Sequence, residues 1–168
     1  YLAIPELVAS DVLLTSASGT HGACLAESVM GMILAFTRGI RDCIRAQPEH
    51  RWAREVRPRL VELTESTMGI VGFGKVGRAV ARRAQAFDMH ILAVDLFPGE
   101  KPEYVEALWG VERLEDLLRE SDYVVVTVPW TPRTEGMIGA DQIAQMKPGA
   151  MLVGISRGGI IDQDAVVK

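Results

Sequence analysis

Cysteine is nearly absent from this 168-residue chain: Cys24 and Cys43 are the two present. They form no CxxC pair, and nothing near them has metal-ligand spacing, so no metal site is expected. Both lie in one stretch of helical periodicity, too far apart along its axis to bridge. A disulfide framework is therefore not expected, and a reducing, cytoplasmic compartment is. No apolar run reaches about 18 residues without a charge, and no secretory leader is visible, so no membrane partner is expected. Basic runs are missing as well. A net charge of −4 without a positive stripe leaves no electrostatic footprint for nucleic acid. The three tryptophans, Trp52, Trp109 and Trp130, are not spaced as a stacking platform. An initiating methionine is lacking too: the chain opens at Tyr1 and closes inside an apparent helix start, "DQDAVVK", and reads as a piece of a longer protein.

What is present is a soluble, globular composition with enough length for one domain and its core. Val12 to Ala17 is a short apolar run that predicts a lead-in strand within residues 1–18. "SGTHG" then opens a long helix over 19–46, in which Leu25, Val29, Met32, Ile33, Phe36 and Ile40 recur at helical spacing. Ala26, Gly31, Ala35 and Gly39 keep the rest of that helix slim, which suits packing on a partner subunit or burial within one. Residues 47–66, charged and carrying Pro48 and Pro58, read as a connecting arm with at most a short helix. From 67 to 168, near-continuous apolar strands alternate with helices: "MGIV", "HILAVD", "DYVVVTVP" and "GAMLVGIS" are the strands. That alternation predicts an α/β fold, a doubly wound parallel sheet with helices on both faces.

The most informative stretch is "MGIVGFGKVGRAVARRAQAFDMHILAVD", residues 68–95. Gly72, Gly74 and Gly77 form GxGxxG between a strand and an amphipathic helix. Gly72 allows a sharp turn, Gly74 lets a pyrophosphate approach the backbone, and Gly77 lets the helix pack tightly on the sheet. The amides of Lys75 and Val76 lie at the helix N-terminus, where free N–H groups and the helix dipole favour anions. Asp95 ends the next strand, 18 residues after Gly77, close to the spacing for an acid on the adenosine ribose. Its carboxylate accepts both ribose hydroxyls and repels a 2′-phosphate. No arginine follows it in Leu96 or Phe97, so NAD is expected over NADP. The turn alone leaves a flavin or another adenosyl cofactor open.

"VVVTVPWTPRTEGMIG" and "MKPGAMLVGISRGGIIDQDA", together with that Rossmann-type turn, resemble the NAD-binding domain of the D-isomer-specific 2-hydroxyacid dehydrogenases. That family includes phosphoglycerate, D-lactate, glyoxylate/hydroxypyruvate and formate dehydrogenases. The resemblance runs from about Gly19 and Glu27 to the end of the chain. It implies pyrophosphate binding at Lys75 and Val76, and ribose binding at Asp95. Val128 and Pro129 then end the strand passing the adenosine and nicotinamide side, Thr134 lies near the cofactor, and Ile155 makes a nicotinamide-side backbone contact. Arg157 matches the catalytic arginine. A guanidinium fork suits that role, because it can hold the carboxylate and neighbouring carbonyl of a 2-oxo acid in plane. The substrate implied is a small 2-hydroxy or 2-oxo acid; the slim first helix, not the resemblance, is what makes a homodimer the expected assembly.

One position departs from the family: Gly154 stands where asparagine is common. The resemblance also implies a histidine proton donor oriented by a glutamate, both downstream of "SRGG". His21, His50 and His90 do not fit that role and read as structural or solvated, as do Arg82 and Arg83 on a helix face. Trp130 reads as wall packing beside the cofactor. Asp162 and Asp164 read as a helix cap and first-turn acid. The fragment alone is expected to be inactive. The rival expectation is a binding protein that senses NAD(H), like the corepressors related to this family.

Overall fold

The computed structural model describes residues 4–167. Five strands build one parallel sheet: β1 (Thr67–Val71), β2 (His90–Asp95), β3 (Ala107–Gly110), β4 (Tyr123–Val126) and β5 (Met151–Gly154). Their order is β3-β2-β1-β4-β5. Alternate residues of each central strand face opposite layers, as strand geometry requires. Met68, Ile70, Ile91, Ala93 and Val125 look one way, into a cluster with α2 (Gly22–Thr37) and α4 (Lys75–Gln85). Val71, Leu92, Val94, Val124 and Val126 look the other way, onto Leu117 and Leu118 of α5 (Leu114–Glu120) and Ile143 of α6 (Ala140–Gln145). Burial on both faces explains why these strands are apolar at nearly every position. The remaining helices are α1 (Pro5–Val8), α3 (Ile40–Ala46) and α7 (Gln163–Val167). This is the expected Rossmann-type, doubly wound parallel sheet.

The register places Val71 beside Val94 on one side and Val126 on the other. The carboxyl ends of β1, β2 and β4 therefore lie level. The chain winds outward through β2 and β3, then returns to place β4 against the free side of β1. Between β1 and β4 the connections run to opposite sides, and a crevice opens at the carboxyl edge where open α/β sheets collect ligands.

Two expectations fail. Val12 to Ala17 is not a strand: it pairs with no neighbour, and Val12, Leu13 and Leu14 are exposed. An apolar run becomes a strand only when a sheet edge is available to it, and this one meets none among the described residues. The long helix is also interrupted. Gly39 adopts a left-handed φ of 64°, and the axis turns by 66° between α2 and α3. A side chain at Gly39 would meet Val56 Cγ1 at 2.1 Å, because residues of the following arm close against the bend. Val61 N–H donates to the Thr37 carbonyl (2.9 Å) and Arg38 Nη1 to the Val61 carbonyl (3.2 Å).

The buried stripe of α2 is Ala26, Val29, Met30, Ile33 and Thr37. Small residues thus sit within the packing face. Met32, Phe36 and Ile40, expected in the same stripe as Val29 and Ile33, are exposed. Glu27 pairs with Arg83 of α4 at 2.8 Å, so Arg83 joins two helices instead of standing free in solvent.

Lys147, in "MKPGA", anchors the opposite, amino edge of the sheet. Its ammonium lies 2.8 Å from Asp122 Oδ1, while Asp122 Oδ2 accepts the Thr67 N–H at 2.8 Å.

Candidate cofactor and substrate site

The glycine turn lies at the crevice, immediately after β1. Gly72 has a φ of 94°, and a side chain there would fall 2.8 Å from Val128 Cγ1 and 2.9 Å from the Val128 nitrogen. Thr127 ties the two loops together by donating its hydroxyl to the Gly72 carbonyl at 2.6 Å. At Gly77 a methyl group would lie 2.2 Å from the Gly72 carbonyl oxygen, so only glycine lets α4 start this close to the strand it leaves. Gly74 is different: among the described residues beyond its own stretch of backbone, no atom lies within 4 Å of where its Cβ would be. The space above it is open to a ligand that must touch backbone. It is also the N-cap of α4 and carries no capping side chain. The amides of Lys75 and Val76 are in the first turn, where a helix supplies no internal acceptor. The Lys75 side chain leaves this space, donating its ammonium to the Ser18 carbonyl at 2.8 Å.

Asp95, half-buried at the end of β2, faces this turn. Its Oδ2 accepts the Phe73 N–H at 2.6 Å and its Oδ1 accepts the Phe97 N–H at 2.9 Å. Each carboxylate oxygen keeps a further acceptor position. A bare helix start next to an oriented carboxylate is the arrangement that a dinucleotide's diphosphate and ribose demand. The donor set fits NAD.

Arg157 stands past β5 at the same edge of the sheet. It is exposed, and its hydrogen bond within the described residues is a long one to the Ser156 carbonyl (3.4 Å). Its turn is held by the loop after β4: Gly136 N–H donates to Gly159 O (2.7 Å), Ile138 N–H to Ile160 O (3.1 Å) and Asp162 N–H to Ile138 O (2.9 Å). Arg157, Gly154, Ser156, Gly158 and Ile161 line a cleft of about 380 Å³. Larger hollows lie elsewhere, one of about 590 Å³ at the amino edge of the sheet and one of about 1040 Å³ beside α3. The glycine turn opens onto a broad crevice, and its chemistry, not its concavity, marks it.

Residues 30–168 match the family model of the D-isomer specific 2-hydroxyacid dehydrogenase, NAD binding domain. The chain belongs to this family. It is 35% identical over 160 residues to D-3-phosphoglycerate dehydrogenase of Methanocaldococcus jannaschii, covering 94% of this chain and 30% of that protein. It is 36% identical over 170 residues to glyoxylate reductase of Korarchaeum cryptofilum, covering 98% and 50%. Among solved structures, a D-isomer specific 2-hydroxyacid dehydrogenase from Xanthobacter autotrophicus Py2, in complex with NADPH and MES, superposes with a TM-score of 0.81 at 29% identity, covering 99% of this chain and 66% of that one. The chain thus spans half or less of the length of these curated relatives.

Within this NAD-binding domain the other expected site residues are placed as follows. Val128 lines the back of the glycine turn and Pro129 is exposed beside it. Thr134 closes its own loop, its hydroxyl donating to Pro129 O at 2.7 Å and accepting the Thr131 N–H at 2.8 Å. Ile155 donates its N–H to Val126 O at 3.2 Å, continuing the β4–β5 pairing toward the crevice. At Gly154, the space that a side chain would need holds Ile161 Cδ1, 2.7 Å from an added Cβ. Trp130 packs on the Arg157 turn: its Nε1 lies 3.2 Å from an added Cβ at Gly159. His90 sits at the amino end of β2, the far edge from the glycine turn, held between Glu106 and Glu65.

Sequence reasoning missed two participants. The Phe73 amide, inside the GxGxxG, bonds Asp95 directly. Arg78, one residue after the last motif glycine, lies over the Phe73 ring at 4.6 Å and reaches the loop after Asp95. The signal was its helical offset: four residues from Gly74, it returns to the side of the turn.

Proposed function

We propose that this domain serves a cytoplasmic, homodimeric NAD-dependent enzyme that interconverts a D-2-hydroxy acid and its 2-oxo acid. The observation that carries this reading is the open space over Gly74 beside an Asp95 carboxylate already bonded to the turn. NAD, when bound, supplies the hydride acceptor and NADH the donor. The residues of this chain do the rest. The Lys75 and Val76 amides hold the diphosphate, Asp95 holds the ribose hydroxyls and disfavours a 2′-phosphate, and Val128, Pro129, Thr134 and Ile155 shape the wall toward the nicotinamide. Arg157, uncommitted to any acid among the described residues, grips the substrate carboxylate and steadies negative charge on the carbonyl oxygen. That free fork favours an enzyme over a sensor. The proton donor is assigned to the downstream histidine implied by the family resemblance.

The dimer is proposed to form through α2, α3 and the arm. Phe36, Ile44 and Trp52 are 54%, 60% and 82% exposed, and a hollow of about 1040 Å³ lies between α3 and the arm. The exposed, free cysteines suit a reducing compartment.

Titration of the full-length protein with NADH, followed by a screen of 2-oxo acids, tests the reading. Saturable binding that Asp95→Ala weakens by about tenfold or more, with oxidation of NADH by at least one 2-oxo acid, is expected. No NADH binding by the unmutated protein would overturn it.

A further inference from the structure

Two hydrogen bonds, each spanning 22 residues, join the glycine turn and the start of α4 to the end of β2 and its loop. One is Phe73 N–H to Asp95. The other is Arg78 Nη2 to the Glu100 carbonyl, at 3.1 Å. Arg78 also lays its guanidinium over the buried Phe73 ring, 4.6 Å from the centroid. The other hydrogen bonds of the segment from Leu96 to Lys101 among the described residues are local: Phe97 to Asp95, and the Lys101 ammonium to Val105 O at 2.6 Å. Arg78 therefore touches the turn with its plane and the loop with its edge. A planar guanidinium can stack and donate in plane at once, and an ammonium cannot.

The geometry points to Arg78 as a positioning residue for the adenosine end of the cofactor. It fixes the loop after β2 against Phe73, and so fixes the angle at which Asp95 presents its free acceptor positions to the ribose. This rests on the cofactor reading above. Arg78 acts through Asp95 and does not itself receive a phosphate.

The test is a double-mutant cycle on the full-length protein, read as NADH fluorescence titrations. Arg78→Met is expected to weaken NADH by about tenfold when Asp95 is present, and by less than about twofold in an Asp95→Ala background, since contacting residues couple. Arg78→Lys, which keeps the charge and loses the plane, is expected not to restore affinity. ADP-ribose, as a competitor, is expected to lose the same factor as NADH, and reduced nicotinamide mononucleotide to lose nothing, which a general folding defect would not produce. Additive losses at Arg78 and Asp95 would overturn the inference, as would a loss confined to NADPH, the signature of a 2′-phosphate receptor. Failure of the unmutated protein to bind NADH would remove the cofactor reading itself, and this inference with it.

Discussion

A single methyl group at Gly77 would sit 2.2 Å from the Gly72 carbonyl oxygen, well inside van der Waals contact. Backbone cannot yield there without moving α4 off β1. Gly77→Ala is expected to destabilise the fold by about 1–3 kcal/mol, read as a lower urea midpoint, and to weaken NADH. An alanine at Gly74 meets no side chain or distant backbone among the described residues, so its effect should fall on cofactor binding and hardly on stability. Arg157 belongs to a different class. Exposed and bonded, among the described residues, only to its neighbour's carbonyl, it contributes little to folding. Arg157→Ala in the full-length protein is expected to lower kcat/KM by about 10²–10³, while NADH titrations and melting curves stay as they were. These residues also show what a sequence reveals at this scale. The roles of Gly72 and Gly77 follow from spacing alone, because the motif encodes its own geometry. Arg78 does not, because its partner Glu100 lies 22 residues away and is chosen by the fold. Thr134 was singled out by the family resemblance alone, and in the structure its hydroxyl closes its own loop.

The elements that hold the site are strongest where they are most apolar. Ile33 of α2 is fully buried in the cluster beneath β1 and α4. Ile33→Ala is expected to cost about 2–5 kcal/mol. The neighbouring Glu27–Arg83 pair, with Glu27 69% exposed, is expected to be worth at most about 1 kcal/mol; comparing urea denaturation of Ile33→Ala and Glu27→Gln checks both. The core strands were readable because each is an apolar run bounded by turn residues and buried on both faces. Val12 to Ala17 has the same local character and fails, since pairing depends on a free edge elsewhere. The break at Gly39 was equally hidden. Its helical periodicity continues through the bend, and what splits the helix is Val56 in the arm pressing on a left-handed glycine.

Across the whole molecule, the proposed cofactor and substrate residues gather at the carboxyl edge of the sheet and two ionic fasteners sit at the amino edge. Their titrations bound stability from both sides. His90 is raised above the usual histidine range by its hydrogen bond and charge interaction with Glu106, then by Glu65. Its contribution is complete below the ordinary value of about 6.5 and is lost as pH rises through the raised folded value. Partial burial pushes Asp122 up, but Lys147 and the Thr67 amide outweigh it and leave it lowered. Its contribution is complete above about pH 4 and is lost as pH falls through the lowered folded value. Urea midpoints measured across pH should therefore decline on both sides of this window. His90→Gln is expected to flatten the alkaline decline, and Asp122→Asn the acidic one. At this scale, sequence reasoning identified the layered parallel sheet and pointed to its carboxyl edge as the proposed site, because alternation and the glycine motif are local signals. The outward-facing Met32, Phe36 and Ile40 were not separable from the core stripe, since only the assembled sheet decides which side of α2 is covered. If they form the proposed dimer face, sedimentation equilibrium will report twice the chain mass for the full-length protein, and Phe36→Glu will return it to a monomer.

A crystal structure of the protein grown with NADH addresses the central claim most directly. The diphosphate is expected above Gly74, within hydrogen-bonding reach of the Lys75 and Val76 amides, with both adenosine ribose hydroxyls on Asp95 and the Phe73 N–H bond intact. A dinucleotide found away from that turn, or an Asp95 carboxylate rotated off the ribose, would contradict the account.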